Sequence, residues 1–427
     1  MHKSDKSMAK RILLTTTGSL GDLHPFIAIG LELRSRGHDV TLATSNFYRS
    51  KVEQTGLRFA PMGPHLGLET YEVMDRVMDL KNGPEYLVRH ILYPSVPAAY
   101  AEVMEAVRQA ELIVTHPIAF AAQIAAEKTA MPWVSTVTAP LSFFSRFDPP
   151  VIAAYPFLIN LRALGPATYG IVLKLGRAQT RFWLAPITRF RASVGLPPGQ
   201  DPLFEGQHSP QRVLAMFSPL MGEPQPDWPA HTLVAGFPFY DQADHGQGID
   251  PELERVLNAG PPPVVFTLGS SAVQQAGNFY PESLAAIRRL GCRAVLLVGS
   301  NSFQEPLPPG TVAFPYAPFS KIFPRAAVIV HPGGIGTCAQ ALAAGRSMLV
   351  VPFAFDQPDN AARLQRLGVA RVIPRKHYTA TRAYTELDHL LRDPAYAANA
   401  VRAARRIAEE NGVRAACDAI ENHPPAP

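Results

Sequence analysis

Short apolar runs rich in β-branched residues alternate along the whole chain with longer segments of helical periodicity. In the first half, Arg11–Thr16, Asp39–Thr44, Leu112–Thr115 and Trp133–Val137 predict strands, with helices over Pro25–Arg36 and Ala119–Thr129 between them. A second series follows: strands at Val264–Leu268, Ala294–Val298, Val328–His331 and Met348–Val351, interleaved with helices over Ser283–Leu290, Gly336–Ala344 and Asn360–Leu367. Strands that alternate with helices pair through crossovers, so each series predicts a parallel sheet flanked by helices. The expected fold class is therefore α/β, with two doubly wound Rossmann-like domains.

The segment between the two series, Phe237–Pro263, is rich in Gly, Pro and Asp and reads as a connector. This gives expected domains at 1–240 and 263–403, joined by a linker over 241–262. Residues 404–427 are expected to carry a C-terminal helix back to the first domain. A helix over Tyr396–Asn411 stops at Gly412, and a shorter one precedes a proline-rich tail. A chain of 427 residues exceeds the size of one hydrophobic core, and the cleft between two domains is a favoured ligand site.

Composition narrows the picture. With 47% hydrophobic and 18% charged residues the chain has ample material for a core. The net charge of +5 is spread over scattered basic residues, which leaves no nucleic-acid footprint. Cys292, Cys338 and Cys417 lack the spacing of a zinc site or a disulfide framework and suit a reducing cytoplasm. The start, Met1–Lys10, is polar and is followed by only a brief apolar run, so no secretory leader is expected. The most apolar region, Val151–Leu184, is interrupted by Pro156, Asn160, Arg162, Lys174, Arg177 and Arg181, short of the ~20 apolar residues that span a bilayer. The expectation is a cytoplasmic protein, at most peripheral at the inner membrane face, with its oligomeric state open.

The strand at Val328–Val330 runs into His331-Pro332-Gly333-Gly334-Ile335-Gly336-Thr337 and then a helix. Unpaired N–H groups and the positive end of the helix dipole attract a phosphate there, and glycines allow close approach. Taken alone, the segment also fits an ordinary tight turn. Gly334-Ile335-Gly336-Thr337-Cys338-Ala339 with Asp356 further on matches a loose dinucleotide fingerprint as well, although Asp356 follows Pro352 in a loop rather than ending a strand.

Four segments in order carry a more specific signal. They are Gly18-Ser19-Leu20-Gly21-Asp22-Leu23-His24-Pro25, Phe266-Thr267-Leu268-Gly269-Ser270, Tyr316-Ala317-Pro318, and the stretch from His331 to Gly368. Together they resemble the GT-B glycosyltransferases of family 1, in particular the bacterial branch with the rhamnolipid rhamnosyltransferase and the sterol and antibiotic glycosyltransferases. The resemblance implies two domains facing across a cleft and a nucleotide-diphosphate sugar as donor substrate, with no cofactor. It places the diphosphate at His331 and the backbone of Gly333, Gly334, Ile335, Gly336 and Thr337, with Gly269, Ser270 and Ser271 beside it. It also implies a base stacked on Tyr316 and read by the backbone of Ala317, and sugar hydroxyls held by Asp356 and Gln357.

An acceptor hydroxyl needs a base. The resemblance points to Asp22, whose pKa would have to rise through desolvation; the plain alternative is that Asp22 caps a helix starting near Pro25. His24 and His116 are the other candidates, His116 standing where plant relatives carry an Asp. Those plant relatives bind the ribose with a Glu at the position of Ala339, beside Gln340, so the donor is left between UDP-glucose and dTDP-rhamnose. Phe143, Phe144 and Phe147 open an apolar stretch with no acid between Asp148 and Gln200, which suits a lipophilic hydroxylated acceptor such as a phenol, sterol or hydroxy-lipid. No metal is expected, since the helix start and His331 can offset diphosphate charge. The implied activity is an inverting hexosyl transfer; a nucleotide-sugar epimerase and a non-catalytic glycolipid-binding relative are the alternatives.

Overall fold

The computed structural model describes residues 9–65, 71–240, 249–301 and 306–423. Seven strands form the first sheet: β1 (Arg11–Thr15), β2 (Asp39–Thr44), β3 (Arg58–Pro61), β4 (Leu112–Thr115), β5 (Trp133–Val137), β6 (Val213–Ala215) and β7 (Thr232–Val234). Their order is β3-β2-β1-β4-β5-β6-β7, parallel throughout. The second sheet comprises β8 (Val264–Thr267), β9 (Ala294–Leu297), β10 (Thr311–Phe314), β11 (Val328–His331), β12 (Ser347–Val350) and β13 (Ala370–Val372). It runs β10-β9-β8-β11-β12-β13, again all parallel. The central strands are buried along their whole length, as helices on both faces require.

Strand order reverses between β1 and β4 and again between β8 and β11. At such a switch point the helices depart to opposite faces and open a crevice at the carboxyl ends of the strands. The four segments singled out in the sequence end or follow strands of these two sheets. Gly18 to Asp22 follow β1, His116 follows β4, Gly269 and Ser270 follow β8, and the glycine-rich turn follows β11.

The first helix starts earlier than its hydrophobic pattern implies. It spans Leu20–Ser35 with Ser19 as N-cap, and Pro25 lies inside it. Asp22 is thus the third helical residue of a capping box and not the cap itself: the Ser19 N–H donates to its Oδ2 (2.8 Å) while the Gly21 N–H donates to Ser19 Oγ (3.2 Å).

The helix Pro394–Ala408 packs on the helix Ile335–Ala343 of the second sheet. The next helix, Gly412–Glu421, lies against Leu20–Ser35. Its Ala416, Cys417, Ala419 and Ile420 share one buried cluster with Leu23, Ile27 and Leu33. Arg36 pairs with Asp418 (2.6 Å) and Glu421 (2.7 Å), and His38 with Glu421 (2.8 Å). Of the expected linker, residues 241–248 lie outside the described residues, as does the tail from 424 onward.

A buried arginine joins the two halves. Arg363, on the helix Gln357–Arg366, donates to Asp359 beside it (2.7 Å), to the Met221 carbonyl (2.8 Å) and to Asp148 of the first half. Asp359 in turn accepts the Val151 N–H (2.9 Å). Among the described residues no helix is long and apolar enough to cross a membrane, and no group of three or more acidic, His or Cys side chains could hold a metal ion.

Candidate active site

On the second-sheet side, His331 ends β11 fully buried, and the Gly333 N–H donates to its Nδ1 (3.1 Å). That bond leaves the ring proton on Nε2, which is buried without a hydrogen-bond partner. Burial pushes the ring pKa down to about 3. His331 is therefore a neutral N–H donor at physiological pH; it brings a dipole to an anion and no positive charge, which corrects the expectation that it offsets diphosphate charge.

The turn after it is shaped by the backbone. Gly333 has φ +93°, and a Cβ there would stand 2.9 Å from Val350 Cγ1 and 3.1 Å from the Gln357 carbonyl oxygen. At Gly334 and Gly336 a Cβ would meet nothing within 4 Å, and the helix Ile335–Ala343 begins with no side-chain cap. The missing side chains leave room for a ligand beside the first turn, whose N–H groups no side chain caps. Ile335 is half-buried and Thr337 buried. Gly269 (φ +64°) adjoins them, a Cβ there lying 3.8 Å from Thr337 Oγ1. Ser270 is exposed, while the Ser271 side chain lies outside the described residues. Tyr316 is 52% exposed, which rules out a core aromatic, and Ala317 beside it is buried.

Asp356 precedes the helix Gln357–Arg366 and follows Phe355, a non-glycine residue in the left-handed region (φ 54°). Asn360 Nδ2 donates to Asp356 Oδ2 (2.7 Å) and to the Gly333 carbonyl (2.9 Å), tying the acid to the glycine turn. Desolvation lifts the Asp356 pKa to about 7 against the Asn360 hydrogen bond, and the charge of Asp22 adds to the rise. For Gln357 the amide oxygen is taken, which leaves the Nε2 donors for a sugar hydroxyl. Its Oε1 accepts the N–H groups of Phe353 (2.8 Å) and Ala354 (3.1 Å), so this oxygen is committed to the loop and does not receive a sugar hydroxyl.

On the first-sheet side, Asp22 Oδ1 lies 3.2 Å from His116 Nε2. The Ile118 N–H donates to His116 Nδ1 (3.5 Å), which leaves the ring proton on Nε2, the nitrogen near the carboxylate. Ser19 supplies two more contacts to Asp22 Oδ2, from its N–H (2.8 Å) and its hydroxyl (3.2 Å). Desolvation pulls the Asp22 pKa upward, but His116 and Ser19 outweigh it and the net shift is downward. The rise expected from the sequence is thus reversed, because burial comes with partners. Gly18 (φ +129°) is needed here: a Cβ would stand 2.3 Å from Asp22 Oδ2. The His24 ring points elsewhere, 5.1 Å from that of Tyr240.

Comparison with known proteins decides the family. Residues 12–143 match the glycosyltransferase family 28 N-terminal domain, and residues 284–416 match the C-terminal domain of erythromycin biosynthesis protein CIII-like proteins. O-mycaminosyltylonolide 6-deoxyallosyltransferase of Streptomyces fradiae is 34% identical, across 96% of this chain and 97% of its own length. The chain belongs to the family 1 GT-B glycosyltransferases. The sterol 3-beta-glucosyltransferase UGT80A2 of Arabidopsis thaliana is 26% identical over 97% of this glycosyltransferase and 66% of its own length. The crystal structure of the glycosyltransferase of kitacinnamycin superposes with a TM-score of 0.71 at 23% identity, covering 98% of this chain and all of that one.

The aromatic residues expected to line an acceptor site in this glycosyltransferase part company. Phe143 is a core residue, stacked on Trp228 with centroids 4.0 Å apart and packed edge-on to Phe217, so it does not line the cleft. Phe144 leans on Phe204 (4.8 Å) with a left-handed backbone (φ 46°). Phe147 is 40% exposed beside Arg146. Asn360, four residues after Asp356, reads from the sequence as a helix-start or structural residue, and it has a structural role: it ties the acid to the glycine turn.

Proposed function

We propose that this glycosyltransferase transfers a hexose, foremost a 6-deoxyhexose, from a dTDP-sugar to a hydroxyl of a lipophilic natural-product or sterol-like acceptor, with inversion at the anomeric carbon. The observation that carries this reading is that two switch-point crevices each present the chemistry one substrate needs. One has an uncapped helix start with a buried, unpartnered His331 N–H, suited to a diphosphate. The other has a carboxylate held ionised by His116 and Ser19, suited to an acceptor hydroxyl. The sugar class follows the 34%-identical relative, whose name assigns it a 6-deoxyallosyl group. A dTDP donor agrees with position 339, a buried alanine that offers no carboxylate to a ribose 2′-hydroxyl.

In this mechanism Asp22 accepts the proton of the acceptor hydroxyl as its oxygen bonds to the anomeric carbon. The bond from that carbon to the diphosphate breaks on the opposite face, and the departing diphosphate keeps the electron pair while the helix start and the neutral His331 N–H donate hydrogen bonds to it. Asp356 orients the sugar by accepting its hydroxyls, and Tyr316 stacks on the base. His116 is a positioning residue. The experiment is to incubate the purified protein with dTDP-rhamnose, UDP-glucose and related donors against macrolide, sterol and phenol acceptors, with products scored by mass. Absence of transfer from every pair, together with no thermal stabilisation by dTDP or UDP, would overturn the reading.

Two further outcomes are expected at the donor site. His331→Ala should weaken dTDP or UDP binding about 10-fold, the scale of one hydrogen bond to a charged group, as measured by calorimetry; unchanged affinity would remove His331 from the diphosphate site. Because Asp356 must be ionised to accept hydroxyls and its pKa is about 7 in the free protein, kcat/KM for the sugar donor should climb with pH up to about 7 and then level. Asp356→Asn should lower the plateau and erase that climb. A climb that persists in the variant would assign it to another group.

A further inference from the structure

We infer that the helical excursion Pro156–Trp183 is a docking surface for an anionic lipid bilayer. It is built from the 3-10 segment Pro156–Leu164, the helix Pro166–Thr180 and a last turn at Arg181–Trp183. Tyr169 and Leu173 attach the helix to the body of the protein, Tyr169 donating its hydroxyl proton to the Pro150 carbonyl (2.9 Å). The face turned away from them is apolar and open to solvent. Ile171 and Leu175, four apart on the helix, share that face and are 60 and 67% exposed, and Leu164 before the helix and Phe182 after it are open as well, at 66 and 86%. Phe157 adds a further 64%-exposed ring on the preceding segment. An isolated exposed leucine is ordinary, but several large apolar side chains exposed together mark an interaction surface.

Charge decides the occupant. Arg162, Lys174 and Arg181 are exposed on the same excursion and carry no ion pair among the described residues, while Arg177 is paired with Glu205. No acidic residue occurs between Asp148 and Asp201. A second copy of the chain laid on this surface would set one wholly basic excursion against another, with no carboxylate within either excursion to relieve the repulsion. A bilayer surface bearing phosphate groups accepts the large apolar side chains into its interface and the cations at its headgroups. None of these side chains is among the proposed catalytic residues, and the surface would serve to collect a lipophilic acceptor without taking part in the chemistry.

The test is cosedimentation of the full-length protein with vesicles of phosphatidylcholine alone or mixed with phosphatidylglycerol. Binding is expected to the mixed vesicles and to weaken as salt is raised. The double variant Lys174→Glu, Arg181→Glu should lose at least about 30-fold in partitioning, since each basic residue near an anionic surface contributes roughly 5-fold. Leu175→Ser with Phe182→Ser should lose binding as well. Both variants should keep their melting temperature and their turnover of a water-soluble acceptor, which separates failure here from failure of the glycosyl-transfer reading. Equal binding to neutral and anionic vesicles, no binding to either, or variants that bind like the parent would overturn the inference. So would sedimentation showing a dimer that the apolar substitutions dissolve while vesicle binding is absent.

Discussion

Replacing Asp22 by asparagine is expected to lower kcat by between about 100- and 10,000-fold, the range a positioned general base contributes, with nucleotide affinity unchanged. Asparagine keeps the size of the side chain and can still accept from the Ser19 N–H, so the capping box survives in weakened form. A melting curve should show only the small loss of about 1 kcal/mol typical of a helix cap. The companion variant His116→Ala probes positioning instead of proton transfer. His116 is the leading partner that holds the Asp22 pKa down against burial. Its removal should shift the acid limb of the kcat profile to higher pH, because the desolvation pull is then less opposed, while a merely structural histidine would leave that limb where it was. Full activity of Asp22→Asn would hand the role of base to His116 or His24.

The second large effect lies at Arg363. Its guanidinium is 2% exposed, and it is the shared partner of Asp359, also 2% exposed, and of Asp148 across the domain boundary. Arg363→Met preserves much of the stem but leaves two acids in or near the interior without their cation. Breaking such a buried pair costs about 3–5 kcal/mol, and a chemical-denaturation midpoint should fall accordingly. Adding Asp359→Asn to the same protein should recover part of the loss, since one uncompensated charge is removed, although Val151 loses strength in its bond to that oxygen. A variant within about 1 kcal/mol of the parent would show that water satisfies these carboxylates and that the clamp is not tight. That threshold is the ordinary size of a point substitution.

The sequence carried the alternation that makes the two sheets and the four segments, three of which end at their switch points while Tyr316-Ala317-Pro318 follows the edge strand β10. It carried them because continuous β-branched runs and glycine turns are local signals. The strands β3, β7, β10 and β13 lack that signal because most of their positions are partly exposed, and β3 ends in a proline, while β6 has only three residues. The start of the first helix was misread because a proline at position 25 looks like a first helical residue. The serine at 19 and the acid at 22 are the true start signal. Phe143 was misjudged for another reason: a run of aromatics shows that something is buried, without showing whether the partner is a ligand or, as here, Trp228. The direction of the Asp22 shift depends on His116, 94 positions away along the chain, and long-range partners leave no trace in local pattern.

The placement of the helix Gly412–Glu421 has a consequence for how the protein comes into being. Ala416, Cys417, Ala419 and Ile420 complete the cluster around Leu23, Ile27 and Leu33 of the first sheet. During synthesis these side chains emerge only after the whole of the second half has been made. Domains ordinarily fold in the order of their synthesis, amino-terminal first. Here the half that is made first stays open along one face of the helix Leu20–Ser35, and the ion pairs of Arg36 and His38 form last. The helix that bears Asp22 thus acquires its final support at the end of the folding sequence, so the first half cannot complete its packing before the second half exists.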